Sequence, residues 1–487
     1  MRYRLTEQRR LLLINPKSLT NIYDDLLIAA PLCPPINLAS LAGAARDAGH
    51  EVQIFDMRVS DDVLGDLDAM LEQFAPHDVG VSAYTQMFPV ALEIGRRVRR
   101  LRPEARLLIG GVHVTVLPEQ ALLEGEFDVA IIAEGEATLV ELLGGAELES
   151  IAGLAWLNGD QVQVNQPREQ LQNLDELPFP ALDLFSLERF DVIQPLWRSR
   201  RIAMLETSRG CPHRCVFCSS NRVFGHKWRA KSPGRVVEEI SRIIDLGFQE
   251  IHFVDDGLTL DLERAKQICR GILELDRPIH WELANGIRVE NLDDEYLDLA
   301  RRAGCYRIQF GVESGDPEVL KAVGKRFSLE RVQQAFAKVR KHRLESVALF
   351  MLGLPGETEQ SMQRTIDFAK RIKPDFARAS ILSPLPGSQV FDQWSEQGRI
   401  LSYDWDRYTF HHFGPLTFEH PNLGERQIKD AYRRFYREFY FRPSYFMQRL
   451  WFDLRNGGLL RDLSYFIRKF LLAPLRSLPR RLVGSGR

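Results

Sequence analysis

Cysteine is scarce in this chain, with six in 487 residues. Six are too few and too unevenly placed for a disulfide framework, so a stapled secreted module is excluded. No apolar run approaches the length of a membrane span. The start, "MRYRLTEQRRLLLINP", is basic, but its apolar run Leu11–Ile14 stops at Asn15-Pro16. It reads as a strand and not as a signal peptide. An excess of one charge is also lacking: 64 Lys and Arg face 66 Asp and Glu, a net charge of −2. That leaves no global basic field for nucleic acid. No G-x-G-x-x-G follows the first strand-like segment, which argues against a nicotinamide site. What remains is ordinary globular composition, 45% hydrophobic and 27% charged, in a chain too long for one core. A cytoplasmic, reducing location is expected, where clustered cysteines bind metal or do redox work.

Residues 1–145 alternate strand and helix. "RLLLIN", "EVQIFD", "DVGVSA", "RLLIGG" and "DVAIIA" read as short apolar strands, with helical patterns such as Ile36–Asp47 and Ala91–Leu101 between them. Near-continuous apolar strands with helical crossovers predict a doubly wound, Rossmann-like α/β domain with a parallel sheet covered on both faces. Residues 146–195 change character and read as an ordered connector, ending in the Pro-containing "LDELPFPALDLF". Residues 196–400 hold a second series: "RIAMLET", "EIHFVDD", "IHWELAN", "YRIQFGV", "ESVALFML" and "FARASILS". Six β/α units are fewer than the eight of a closed barrel, which predicts an open, partial (β/α)6 barrel. After the first of these strands a helix is well signalled, with Ser232 to cap, Pro233 in its first turn and Gly247 to close it. Residues 401–487 read as a helical, aromatic-rich region.

Three of the six cysteines crowd into "ETSRGCPHRCVFCSS" (206–220), as Cys211, Cys215 and Cys218. A structural zinc site wants four ligands, usually as two separated pairs. Here there is no second pair, and Cys33, Cys269 and Cys305 are scattered. A [4Fe–4S] cluster normally takes four thiolates. Three would leave one iron open to a substrate or cofactor. The loop follows the first strand of the second series, at the C-terminal mouth where barrel enzymes place their chemistry. A zinc knuckle completed by His213 or His226 is the alternative for the same loop.

The loop resembles the CxxxCxΦC signature of the radical S-adenosylmethionine enzymes, with Phe217 at the aromatic position. In that superfamily the open iron binds S-adenosylmethionine, and an electron from the cluster cleaves it to a hydrogen-abstracting 5′-deoxyadenosyl radical. "FVDDGLTL" (253–260), "ANGIRVENLDDEYLDLARRAGCYRIQFGVESGDPEVL" (284–320) and "MLGLPGET" (351–358) resemble further strand motifs of the family. The resemblance implies S-adenosylmethionine contacts at Asp255, Asp256, Arg288, Glu313, Gly353 and Gly356. Their alternative reading is a polar barrel mouth of mutual salt bridges.

"SPLPGSQVFDQWSEQGRI" (383–400) is typical of one branch, whose members often carry an N-terminal cobalamin-binding domain. Residues 34–56, 78–122 and 133–143 resemble that domain. Gly110 and Gly111 end a strand, where flat backbone can approach a planar ligand, and Thr85, Thr115 and Glu134 supply polar atoms. No Asp-x-His-x-x-Gly is present, so cobalt would lack the histidine which that motif supplies. His113 and Cys33 read as packed residues rather than ligands.

The branch implies methyl transfer to an unactivated carbon of a hydrophobic or natural-product-type substrate. It also contains the anaerobic magnesium-protoporphyrin monomethyl ester oxidative cyclase, and the motifs do not separate the two outcomes. A non-catalytic cobalamin or cluster sensor is the non-enzyme alternative. A reduced flavodoxin or ferredoxin is the expected electron donor. Residues 449–487 carry nine Lys or Arg against two Asp among many apolar residues. That mixture fits peripheral contact with the inner face of a membrane, or a helix packed on the barrel with its arginine stems buried.

Overall fold

The computed structural model describes residues 7–17, 31–192, 196–290, 292–409 and 414–456. In the front half β1 (Arg10–Asn15), β2 (Glu51–Asp56), β3 (Asp78–Ser82), β4 (Arg106–Gly110) and β5 (Val129–Ile131) are parallel, in the order β2-β1-β3-β4-β5. The alternation within β1 shows why the sheet is covered twice. Leu11 and Leu13 join the core beneath helices Ile36–Asp47 and Glu136–Leu143. Leu12 and Ile14 join the core beneath Val63–Phe74 and Phe88–Leu101. The strand order reverses between β1 and β3, and in such sheets a ligand lies beyond the C-terminal strand ends at that point.

Part of the expected connector belongs to this sheet. β6 (Leu154–Asn158) and β7 (Gln161–Val164) form a hairpin that adds antiparallel to the β5 edge.

The second sheet holds β8 (Ile202–Leu205), β11 (Glu250–Phe253), β12 (His280–Ile287), β13 (Cys305–Glu313), β14 (Glu345–Leu352) and β15 (Phe376–Ile381). All pair in parallel and in chain order, and β8 and β15 are its two edges. The sheet is therefore open, as six units predict. Between β8 and β11 two short strands, β9 (Ser208–Arg209) and β10 (Arg229–Ala230), pair antiparallel and tie off the loop that carries the three cysteines. The helix Pro233–Asp245 is built as its signals predict. The Ser232 side chain accepts from the Arg235 N–H, and Gly247 takes φ +90°.

The N-terminal half of this sheet carries a buried polar network on one face. Arg307 pairs with Glu282 (3.2 Å) and Glu345 (2.7 Å). Glu250 accepts from the Tyr306 hydroxyl at 2.5 Å and lies 2.9 Å from His252 Nε2. The opposite face of the same strands is apolar, with Ile251, Phe253, Leu283, Ile308 and Phe310 in the core. Charges buried this deeply persist only when paired.

The helix Glu425–Tyr440 packs outside β15. Tyr436 donates to the Ala379 carbonyl and accepts from its N–H; Tyr440 does the same at Ala377. Beyond the helix end, Tyr445 donates to the Asp375 carbonyl. Four helical residues rise about 6 Å and two strand residues about 6.6 Å, so a tyrosine on every turn meets every second residue of the edge.

The expected helical region starts later than the composition suggests. Among the described residues of 401–424 there is one 3-10 turn, Trp405–Arg407, and an isolated bridge from Ile400 to Phe418. The last helix, Pro443–Asn456, leaves Phe446, Met447, Leu450, Trp451 and Leu454 exposed. Most of the basic tail 449–487 lies outside the described residues. Among the described residues no helix is long and apolar enough to cross a membrane.

Candidate active site between the two sheets

Cys211, Cys215 and Cys218 are free thiols on one half-buried loop. Backbone contacts fix its shape. Val216 N donates to the Val323 carbonyl (3.2 Å), Cys218 N to Cys215 O (3.1 Å), and Val390 N to Val216 O (3.0 Å). Two glycines are required by close approach. At Gly210, φ +86°, a Cβ would stand 2.3 Å from the Lys227 carbonyl oxygen; at Gly324, φ +80°, it would stand 2.7 Å from that of Arg214. Burial pushes the Cys211 and Cys215 thiols up, and the Lys325 and Arg288 charges work in the opposite sense at Cys215. Phe217 packs its ring against the main core.

Among the described residues no three His, Cys, Asp or Glu side chains converge as one metal ion would require. A cluster takes one thiolate per iron, so its sulfurs stand further apart than the ligands of a single ion. His226 lies 3.3 Å from the Asn221 amide. His213 Nε2 is buried without a hydrogen-bond partner, close to Arg288, Glu290 and Lys325.

The other mouth residues sort into two groups. Arg288 lies beyond β12, paired with Glu290 at 2.6 Å, and its Nη1 is buried without a partner. Glu313 ends β13 with φ +66° and pairs with Lys325 (3.1 Å). Left-handed backbone costs a side-chain-bearing residue roughly 1–2 kcal/mol, and here it aims the carboxylate at that lysine. Asp256 accepts from Ser220 Oγ at 2.9 Å and lies close to Cys211. Asp255 is different. It is buried, and its carboxylate accepts from Thr207 N, Thr207 Oγ1 and Ser208 Oγ. It braces the chain entering the cysteine loop rather than facing a ligand.

After β14, Gly353 (φ +80°) and Gly356 (φ +83°) shape a turn around the buried Glu357. Glu357 Oε2 accepts from Gly353 N (2.6 Å) and Leu354 N (3.1 Å), while Oε1 has no partner. Burial pushes this carboxyl from 4.5 up to about 8. A raised acid pKa stabilises the fold most below the unfolded value, and that stability is lost as pH rises toward the folded value. Between pH 4.5 and 8, Glu357→Gln is expected to flatten that loss, at about 1.4 kcal/mol for each unit of separation. Thermal unfolding of both proteins across that window checks it; identical pH slopes would remove Glu357 as the cause.

On the front sheet, Gly111 (φ +107°) is fixed by packing, since a Cβ would lie 2.6 Å from the Ala83 carbonyl oxygen. Gly110 is not: the nearest atom to its Cβ position is 3.5 Å away, so the protein's own packing does not demand a glycine. Thr85 is buried in a turn just after β3. Thr115 Oγ1 donates to Gly111 O and accepts from Ala133 N, joining the ends of β4 and β5. His113 is buried between Phe88 and Trp405, ring centroids 4.3 and 5.1 Å away, and neither ring nitrogen has a partner. Burial holds its pKa down at about 4, so it is a neutral, packed residue at pH 7. Cys33 is also packed, its thiol pushed up to about 12 by burial.

Glu134 is not free to meet a ligand. It pairs with Arg209 (2.9 Å) and with Arg229. Arg209 also grips Glu136 (2.6 Å) and Glu206 (2.8 Å). Burial raises the Glu136 carboxyl, but the Arg209 guanidinium outweighs it and brings it down to about 2. This knot joins the end of the front sheet to β9 and β10 beside the cysteines. Next to it the helix Val112–Val116 packs on the helix Ser220–Phe224 that leaves the cysteine loop. The sequence reading missed Arg209, Arg229, Glu136 and Lys325. Only the position of Arg209, two residues before Cys211, could have drawn attention to any of them.

The comparisons with known proteins agree with this geometry. Residues 205–369 match the radical SAM superfamily and residues 27–143 match the B12 binding domain. An uncharacterized methyltransferase of Pyrococcus horikoshii is 32% identical over 416 residues, 84% of this chain and 88% of that protein. The chain belongs to the cobalamin-binding radical S-adenosylmethionine enzymes. The anaerobic magnesium-protoporphyrin IX monomethyl ester cyclase of Cereibacter sphaeroides is 26% identical over 465 residues, 93% of this chain and 72% of that protein. The radical S-adenosylmethionine methyltransferase TsrM of Kitasatospora setae, solved with cobalamin and [4Fe-4S] cluster bound, shares the fold. Its TM-score is 0.66 at 21% identity, over 80% of this chain and 78% of that one.

The family's groups are a [4Fe–4S] cluster, S-adenosylmethionine and cobalamin. The residues present fit them. Three unpaired thiols stand on one loop. The unpartnered Arg288 Nη1 offers a buried donor to a carboxylate. Gly110 leaves backbone bare where its own fold requires nothing.

Proposed function

We propose that this protein is a cobalamin-dependent methyltransferase acting on an unactivated carbon of a hydrophobic or natural-product-type substrate. One observation carries the reading. The loop with the three cysteines and the C-terminal ends of the front sheet are joined by the Arg209 knot and by the packing of Val112–Val116 on Ser220–Phe224. A radical source and a planar methyl carrier would then share one cleft.

When bound, the cluster with S-adenosylmethionine supplies a hydrogen-abstracting radical, and cobalamin supplies a transferable methyl group. The chain's part is to hold and orient. Cys211, Cys215 and Cys218 would give up their protons and hold three irons; burial raises the Cys211 and Cys215 thiols, which need the metal's charge to do so. Arg288 would hold a carboxylate through Nη1. Lys325 holds Glu313 and supplies positive charge beside Cys215. Asp255 and Asp256 keep the entry and exit of the loop in place through Thr207, Ser208 and Ser220. The turn at Gly353 and Gly356 would lie along an adenine through its backbone. Gly110, Gly111 and Thr85 would floor the cobalamin site, with Thr115 keeping that floor in shape.

The cyclase relative, which covers nearly the whole chain, favours oxidative ring formation as the second reading. One anaerobic experiment separates them. The protein is loaded with iron, sulfide and hydroxocobalamin, desalted, then given reductant and S-adenosylmethionine. Retained cobalt with both 5′-deoxyadenosine and S-adenosylhomocysteine is the expected result. Retained cobalt with 5′-deoxyadenosine alone favours the cyclase reading. Full cluster and cobalt with neither product overturns both and leaves a sensor.

A further inference from the structure

The inner face of the second sheet carries a cation that the chemistry above does not use. Parallel strands in chain order, joined by crossovers of one hand, put every connecting helix on one face and leave the other as the inside of the barrel. The Arg307 network lines the lower part of that inner face. Phe376 shares the face, its ring centroid 5.2 Å from the Arg307 guanidinium. Side chains alternate along a strand, so Arg378 and Ser380 of β15 also point inward. Beside Arg378 on β14 stands Leu349, and beside Ser380 stands Met351. All five side chains are half-buried, so solvent reaches this part of the wall.

Among the described residues the Arg378 guanidinium has no ion-pair or hydrogen-bond partner. The carboxylates of the inner face are engaged elsewhere. Arg307 holds Glu282 and Glu345, Lys325 holds Glu313 (3.1 Å), and Arg209 holds Glu206 (2.8 Å). The sequence from 376 to 391 contains no acid. Ser380 donates its hydroxyl to the Phe350 carbonyl (3.4 Å). An inward charge on an edge strand can serve to discourage pairing. Tyr436 and Tyr440 already occupy this edge, so that role is filled. In a ligand cleft, apolar walls bind and a few polar groups fix the pose. The planar fork of an arginine matches a carboxylate or a phosphate.

We propose that Arg378 anchors the substrate through an oxyanion, a carboxylate or a phosphate, while the substrate's hydrocarbon lies along Leu349, Met351 and Phe376. The proposal rests on the radical S-adenosylmethionine reading, which makes the barrel the reaction chamber. β15 runs three residues beyond Arg378 to Ile381, a rise of about 10 Å. The anion is thereby held below the mouth, and the carbon to be attacked lies between it and the cysteine loop.

The test uses the holoenzyme and three probes of equal chain length, each below its micellar concentration: decanoate, decyl phosphate and decan-1-ol. Calorimetry on wild type is expected to show at least one anion bound about tenfold or more tighter than the alcohol. The tighter of the two anions names the headgroup. Arg378→Met is expected to bring all three probes within about twofold of one another, with the affinity for the alcohol kept. Wild type that prefers neither anion overturns the proposal. So does an anion preference that survives in Arg378→Met, or one lost equally in Arg426→Met, whose exposed charge sits on the outer helix Glu425–Tyr440. Should Arg378→Met fail to fold, Arg378→Gln replaces it in the same comparison. Wild type that binds an anion through Arg378 but yields no 5′-deoxyadenosine with dithionite would overturn the radical reading and leave the anchor standing.

Discussion

Cys215→Ala is expected to lose the iron–sulfur cluster and, with it, S-adenosylmethionine cleavage down to background. Two thiolates cannot hold three irons. The fold should survive. The side chain is half-buried, and the backbone around it is held by Val216, Val323 and Gly324 rather than by the sulfur. Truncating such a residue costs about 1 kcal/mol. The comparison is Cys269→Ala, a buried thiol pushed up to about 12 by burial and expected to serve packing alone. Iron content, visible absorbance and 5′-deoxyadenosine yield, measured anaerobically on both variants, decide the matter. Wild-type cluster content in Cys215→Ala would mean that the loop does not hold the cluster.

Arg209→Met is expected to destabilise the protein by about 3–5 kcal/mol, because it leaves buried carboxylates without their cation. The Arg209 side chain is 5% exposed and those of Glu134 and Glu136 are 11% exposed, so solvent does little to screen the loss. The pH dependence gives the sign. Glu136 has a folded pKa of about 2 against an ordinary 4.5. A depressed acid pKa contributes stability that is present above the unfolded value and lost as pH falls toward the folded one. Wild type should therefore weaken as pH drops from neutrality through 4.5 toward 2, and Arg209→Met should show much less of that acid-side loss. Denaturant unfolding at pH 7 and at acid pH measures both. A variant as stable as wild type, with the same acid slope, would show that the knot contributes nothing to holding the two sheets together.

The strands were legible because each is a short apolar run between turn residues, and all eleven quoted segments contain strands in the structure. The hairpin β6–β7 was not placed, because its partner is β5 and nothing local in "IAGLAWLNGDQVQVN" says which edge it will join. Aromatic content misled the reading of 401–424. Tyr403, Trp405 and Tyr408 cluster with one another, and Trp405 covers His113 across the chain, so those rings answer to distant residues and not to a helix face. Glu134 shows the same limit at the site. It resembles a ligand contact by its place after β5, yet its partners Arg209 and Arg229 are 75 and 95 residues away. The cysteines were legible because their spacing alone carries the chemistry, with no distant partner needed.

The three tyrosines against β15 stand in for a strand the barrel does not have. A bare edge invites another polypeptide to pair with it. A further strand would only move that bare edge outward, and it would also narrow the gap between β15 and β8. Tyr436, Tyr440 and Tyr445 satisfy the backbone of 375–379 through side chains alone, and the helix that carries two of them stays outside the sheet. The wall is thereby finished without being extended, and the six-stranded barrel keeps its width.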